Sequence, residues 1–254
     1  MSISIKTARE IEKMRRAGEL LEKVHDELGR AIHPGMSTWE INKLGEEMIR
    51  SFGCTPNFLN YNGYPASICV SVNEEVVHGI PSKKRILKEG DIVSLDAGLI
   101  YEGYHSDAAR TWAVGNVSPE AQKLMDVTKQ CFYEGIKFAK AGNHLNDIST
   151  AIQAYAEKFG YGVVRELVGH GIGTHLHEDP EVPNFATQRR GILVQPGMTL
   201  AVEPMINAGT PDVIWMDDDW TVVTADHALS AHYENTILIT EGEPEILSLR
   251  PGLE

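Results

Sequence analysis

Gly35, Glu40, Ile41, Phe52 and Gly53 recur as Gly142, Asp147, Ile148, Phe159 and Gly160, each 107 positions later. The same offset carries Gly90 onto Gly197 and Asp96 onto Glu203. A period this long does not describe a solenoid, whose repeats run to roughly 20–45 residues. It describes two related halves lying side by side. The matched positions include helix-bounding glycines, an apolar pattern and one carboxylate, so such a fold sets Asp96 and Glu203 in corresponding places around a shared centre. The offset fails past Glu203, because Val127 stands where a counterpart of Glu234 would fall.

Local patterns agree with a two-half arrangement. Thr7-Ala8-Arg9-Glu10 and Ser37-Thr38-Trp39-Glu40 read as capping boxes, in which cap hydroxyl and glutamate each accept from a backbone amide of the other's residue. They open helices that end near His33-Pro34-Gly35 and Phe52-Gly53. Ser118-Pro119 opens a third helix reaching to about Lys140, and a fourth starts near Asn143 and stops at Phe159-Gly160. Strands follow each helical pair: 66–73, 91–99 and 104–114, then 163–168, 199–207, 221–224 and 232–240. Helices grouped before antiparallel strands predict an α+β architecture. No Pro/Gly/Ser linker or shift in composition divides the 254 residues. The chain therefore reads as one unit over 1–254, with halves at about 7–115 and 118–245.

Five short segments carry the chemistry: Leu95-Asp96-Ala97, Ser106-Asp107-Ala108, the Gly-flanked His170, Val202-Glu203-Pro204 and Tyr233-Glu234-Asn235. Each sets a metal-capable side chain in an apolar or small-residue frame. Four carboxylates in such frames are costly to desolvate unless a partner charge or a metal compensates them. One imidazole with four carboxylates suits two divalent cations and leaves positions open for water and substrate, which points to a two-metal hydrolase. The first pair also sits on a predicted hairpin. A turn centred between Tyr101 and Glu102 would place Asp96 directly opposite Asp107, where like charges are destabilising unless a cation lies between them.

Composition bounds the remaining possibilities. A net charge of −13 argues against a dedicated nucleic-acid binder. Cys54, Cys69 and Cys131 show no metal-type or disulfide-framework spacing, which suits a reducing compartment. No stretch approaches the roughly 18 apolar residues of a membrane span, and no apolar segment follows the first basic residues, so a cytoplasmic protein without membrane attachment is expected.

The run Asn60-Tyr61-Asn62-Gly63-Tyr64-Pro65-Ala66-Ser67-Ile68-Cys69, then Asn73 and His78-Gly79-Ile80-Pro81, together with the five segments in order, resembles the type I methionine aminopeptidases of the M24 metallopeptidases. The match runs from about Thr7 to Leu249. The resemblance implies the pita-bread fold, two pseudo-symmetric halves with antiparallel strands around a central dinuclear site and helices outside. It implies removal of the initiator methionine from nascent polypeptides with a small second residue. Asp96 would chelate one metal, Asp107 and Glu234 would bridge both, and His170 with Glu203 would complete the second position. A metal-bridging hydroxide would attack the scissile carbonyl, with Glu203 as general base, His177 on the carbonyl oxygen and His78 on the following peptide nitrogen. The metals implied are Co, Mn, Fe(II), Zn or Ni, and a monovalent cation near Asn73 and Ser230 is implied for some relatives. Transient ribosome association is also allowed by the resemblance.

The methionine pocket implied by the resemblance is walled by Tyr61, Tyr64, Cys69, Leu176 and Trp220, with His78 at the rim. Leu176 departs from the Phe of many relatives, which bears on the pocket's shape. The acidic run Met216-Asp217-Asp218-Asp219-Trp220 reads as a solvated loop rather than a metal cluster, since adjacent side chains point apart. The other histidines, His232 among them, carry no assignment. The short spacings from His177 to Glu203 and from Glu203 to Glu234 leave no room for the helical insertion of type II enzymes, and no zinc-binding amino-terminal extension is seen. Two other readings compete: an X-Pro aminopeptidase or prolidase of the same fold, and a non-catalytic binding protein of the proliferation-associated type that has lost its ligands.

Overall fold

The computed structural model describes residues 3–249. Its helices are α1 (Ala8–Ala31), α2 (Thr38–Ser51), α3 (Pro119–Ile136) and α4 (Leu145–Glu157). Both predicted capping boxes form, with the Thr7 and Ser37 amides donating to Glu10 and Glu40 at 2.7 and 2.8 Å. Ser118 caps α3 ahead of Pro119, whose missing N–H is no loss at the first helical position. α3 stops at Ile136, short of the expected Lys140, because the Phe138 and Ala139 amides bond three residues back and tighten the chain into a turn.

The strands are β1 (Thr55–Pro56), β2 (Ile68–Val72), β3 (Glu75–Val77), β4 (Ile92–Tyr101), β5 (Tyr104–Ala113), β6 (Gly162–Val163), β7 (Gly169–Gly171) and β8 (Glu178–Val182). After them come β9 (Thr199–Val202), β10 (Met205–Asn207), β11 (Val213–Trp215), β12 (Val222–Thr224), β13 (Ser230–His232), β14 (Glu234–Leu238) and β15 (Glu245–Ile246). The main sheet runs β1-β4-β5-β14-β9-β7-β8, with β2 also on β4 and β15 also on β14. Two smaller sheets, β13-β10-β6 and β11-β12-β3, lie off it. The ladders between these strands are antiparallel.

The offset of 107 survives as geometry. Ser37 bridges Ile86, and His144 bridges Leu193, the corresponding pair. Gly35 and Gly142 both adopt the left-handed conformation just before their helices, at φ 92° and 90°, which a glycine reaches without steric penalty. Each half has its own core. Leu21, Leu28 and Ile41 of α1 and α2 pack on Val93, Leu95 and Leu99 of β4, while Phe132, Ile148 and Ile152 of α3 and α4 pack on Leu200, Val202 and Ile237. Burying each such side chain stabilises the fold by about 1.5–3 kcal/mol. The halves meet where β5 pairs β14, with Ala109 opposite Glu234 and Ala108 opposite Asn235.

Several predicted strands break. The stretch 163–168 keeps only β6. The runs 199–207 and 232–240 divide at Glu203-Pro204 and Tyr233, where β9 and β14 of the main sheet give way to β10 and β13 of a smaller one. Pro204 has no N–H to give a ladder, and its carbonyl accepts from the Tyr233 amide at 3.2 Å. Among the described residues, no helix is long and apolar enough to cross a membrane.

Candidate metal centre

Asp96 and Asp107 reach the centre from the β4–β5 hairpin, in a register different from the predicted one. Asp96 pairs with Ala109, and Asp107 with Gly98. Glu102 and Gly103 both have positive φ, 46° and 83°, and form a two-residue turn of the kind whose twist matches the strands. The turn is centred one residue later than expected, so the pairing shifts by two and the acids lie on a diagonal. Diagonal neighbours are roughly 7–8 Å apart at the backbone, close enough for two side chains to converge. Because side chains alternate with period two, a shift of two keeps both on the same face. Leu95 and Ala97 pack into the helical core, and Asp96 faces the other way, into a cavity of about 280 Å³.

The second half supplies His170, Glu203 and Glu234. His170 sits on β7, between β8 and β9, in place of a flexible Gly-rich turn. Its flanking glycines are dictated by close approach: a Cβ on Gly169 would lie 2.4 Å from the Ala201 carbonyl oxygen, and one on Gly171 would lie 2.3 Å from that of Asp179. Glu203 comes just after Val202, and Glu234 just before Asn235, the terminal β9–β14 pair, close to where the chain passes between the main sheet and a smaller one. Asn184 donates to the Glu203 carbonyl at 3.0 Å and holds the break. Behind Glu234 the buried Arg110 guanidinium bonds to that residue's carbonyl oxygen, to the Asn235 side chain at 2.6 Å and to the Ser248 carbonyl at 3.2 Å.

These side chains are nearly dry. Asp96 Oδ1, Asp107 Oδ1 and Glu234 Oε1 are buried without any hydrogen-bond partner. Burial pushes the Asp96 carboxyl up to about 7, with Asp107 acting against the rise. Burial also drives Asp107, Glu203 and Glu234 well above the usual carboxylate range, reinforced by the neighbouring acids. A proton is the default occupant of such oxygens, and a divalent cation is a better one. His170 has the opposite shift, pushed down to about 3 chiefly by burial, and is neutral. Its Nδ1 bonds to the Gly171 carbonyl at 2.8 Å, which leaves the Nε2 lone pair for a metal, 3.7 Å from Glu203 Oε1.

Donor atoms of Asp107, His170 and Glu234 lie within 4.8 Å of one another, as do those of Glu203, His232 and Glu234. Glu234 belongs to both groups; Asp96 belongs to neither, though it lines the same cavity. Oxygen-rich donors with a neutral imidazole, several of them orphaned, fit divalent ions.

Of the remaining predicted residues, Tyr61, Tyr64, Cys69, His78, Leu176, His177 and Trp220 line the cavity, while Asn73 and Ser230 are not part of its lining. Tyr64 bonds through its hydroxyl to the Gly79 carbonyl at 2.9 Å and packs edge-on against Trp220, with ring centroids 5.1 Å apart. Cys69 lies opposite Asp96 on β2 and is 4% exposed; Leu176 is 2% exposed. The Tyr61 hydroxyl lies 2.7 Å from His177 Nδ1, and the His177 ring lies 4.2 Å from that of His170. His78 adopts φ 58°, uncommon for a residue with a Cβ, and its ring stands edge-on to Trp220. The acidic run before Trp220 shapes its loop: Asp218 accepts from the amides of Trp220 and Thr221 at 2.9 and 2.7 Å. Asn73 and Ser230 meet through a main-chain bond of 2.9 Å, and their side chains are engaged by Asp91 and Asn207.

The sequence reading missed Phe58, Val77, Leu167, Val168, Met205 and His232, all of which line the same cavity. The apolar ones carry no signal beyond hydrophobicity. His232 carried a weak one, as a histidine two residues before an apolar-framed acid.

The profile of metallopeptidase family M24 matches residues 12–241. A methionine aminopeptidase of Clostridium acetobutylicum is 53% identical over 247 residues, 97% of this chain and 99% of its own. The crystal structure of methionine aminopeptidase from Thermotoga maritima superposes with a TM-score of 0.96 at 44% identity, covering 98% of this chain and all of that one. An Xaa-Pro dipeptidase from Bacillus anthracis shares the fold at a TM-score of 0.77 and 27% identity, but only 62% of its chain is covered. A centre built from two pseudo-symmetric halves, matched end to end by such relatives, places this chain in metallopeptidase family M24, within its methionine aminopeptidase group.

Proposed function

We propose that this chain is a metal-dependent aminopeptidase that removes the initiator methionine from polypeptides whose second residue is small. The observation that carries this reading is the junction of two environments in one cavity: four largely buried carboxyl groups, those of Asp96, Asp107 and Glu234 each with an orphaned oxygen, beside an apolar wall of Phe58, Tyr64, Cys69, Leu176 and Trp220. Such a wall accepts an unbranched thioether and disfavours charge.

Asp96 would hold one ion, Asp107 and Glu234 would be shared by two, and His170 with Glu203 would complete the second position. Bound there, divalent ions polarise the scissile carbonyl and acidify water. Glu203 takes the proton from the attacking water and passes it to the leaving amine. His177 is kept neutral by burial, and a Tyr61 hydroxyl donating to Nδ1 leaves the ring proton on Nε2, where it serves the carbonyl oxygen as charge builds there. His78, pushed down to about 4 by burial, is neutral and accepts from the following peptide N–H. Its left-handed backbone is a strain of the kind concentrated at functional sites. The ions are drawn from Co, Mn, Fe(II), Zn and Ni. A monovalent cation beside Asn73 and Ser230 would draw on main-chain oxygens, since the side chains are engaged. Nascent chains as substrates bring a cytoplasmic location and transient association with the ribosome into the same reading.

The test sets Met-Ala-Ser, Leu-Ala-Ser and Ala-Pro-Ser side by side, after exhaustive chelation and after adding back Mn, Co or Fe(II). Hydrolysis of the first alone, lost with the metal and regained with it, is expected. Equal cleavage of the leucine peptide would make the enzyme a general aminopeptidase, and cleavage only before proline would promote the X-Pro reading.

A further inference from the structure

His232 has no part in the reaction as described above. It ends β13 opposite Met205, is 2% exposed, and neither ring nitrogen has a hydrogen-bond partner. Nε2 lies 3.9 Å from Glu203 Oε2 and 3.9 Å from Glu234 Oε2. It therefore stands equidistant from the proposed base and the shared ligand, outside ordinary hydrogen-bond reach of either but close enough that a small closure of the carboxylates would meet it.

Two roles are open to an imidazole in that place, and the tautomer separates them. A metal ligand acting through Nε2 must carry its proton on Nδ1, and ligating histidines donate that proton to an acceptor. His170 meets the condition through the Gly171 carbonyl. His232 does not, because its Nδ1 faces no acceptor. With the proton on Nε2, the N–H points toward two carboxylates, and only a lone pair is left unpaired. Buried N–H groups are orphaned more rarely than acceptors.

We propose that His232 is a positioning residue: its Nε2–H is donated to the Glu203 and Glu234 carboxylates and fixes how those two groups present their remaining oxygens to the ions. The proposal rests on the metal-site reading above, but its test does not require peptide hydrolysis.

Mn(II) affinity and stoichiometry are measured by calorimetry on chelator-stripped wild-type protein, His232→Leu and His232→Gln, with folding checked by circular dichroism. Leucine removes the donor; glutamine keeps an N–H of similar reach. The leucine variant is expected to bind the weaker Mn(II) about 10–100-fold less tightly, the range for loss of a partner behind a metal ligand. The glutamine variant should recover most of that affinity, and with Met-Ala-Ser the leucine variant should lose kcat more than it raises KM. Wild-type affinity in a folded leucine variant would overturn the proposal. So would a glutamine variant as weak as the leucine one, since that would make the imidazole itself the ligand. Should leucine prevent folding, His232→Ala takes its place with the same expectations. If wild-type protein binds Mn(II) but cleaves no methionine peptide, the functional reading fails while the affinity series still decides the role of His232.

Discussion

In the proposed mechanism Glu203 would join two duties, metal ligand and proton carrier, in one carboxylate whose side chain is 13% exposed. Glu203→Gln keeps the shape and removes the proton chemistry, so turnover should fall by about 10²–10⁴-fold or more, measured as kcat on Met-Ala-Ser with folding checked by circular dichroism. His177→Ala should lower kcat more than it raises KM, because its hydrogen bond strengthens as charge develops; a variant with altered KM and normal kcat would place His177 in ground-state binding. Leu176→Phe changes one apolar contact and should shift kcat/KM by at most about 1–3 kcal/mol. At this scale the sequence was informative wherever an acid or histidine sat in an unsuitable frame, since burying such a group requires compensation. It was uninformative for Phe58 and Met205, whose apolar side chains look alike in a core and in a pocket. His232 escaped because its meaning depends on the break at Tyr233, which leaves a strand residue lining the cavity.

The hairpin and the Gly-flanked strand show what elements add to residues. The expected β4–β5 hairpin formed, but with its turn one residue later, and the period-two alternation rescued the conclusion that Asp96 and Asp107 share a face. A shift by one would not have been forgiving. Inserting a single residue between Glu102 and Gly103 should therefore weaken Mn(II) binding drastically, whereas Gly103→Ala, at φ 83°, should reduce stability by about 1 kcal/mol and leave Mn(II) affinity unchanged. The element boundaries that sequence patterns placed well were those set by local chemistry, the caps at Thr7, Ser37 and Ser118. β7 and β11 were not legible, because a three-residue strand such as Gly169–Gly171 is defined by its neighbours in the sheet and not by its own preferences.

Over the whole molecule, the buried acids tie stability to pH and to metal. Asp96 has its folded pKa raised from 3.8 to about 7, and Asp107, Glu203 and Glu234 are shifted in the same direction. Between those values the folded state holds more protons than the unfolded one. The metal-free protein thus loses this contribution as pH rises from about 4 through 7. Ions that replace the protons should raise the melting temperature more at pH 8 than at pH 5.5, read by calorimetry with and without Mn(II); an equal gain at both would contradict the shifts. The repeat of 107 was legible because helix caps and bounding glycines were kept in both halves, while the later connection between Glu203 and Glu234 outgrew its counterpart. The seam between β5 and β14 gives that symmetry a mechanical sense. Asp96 and Asp107 belong to one half, His170, Glu203 and Glu234 to the other, so ions bound there would act as rivets through the joint between them. With the rivets in place the two cores should melt as one cooperative body; stripped of them, the joint becomes the first place to open.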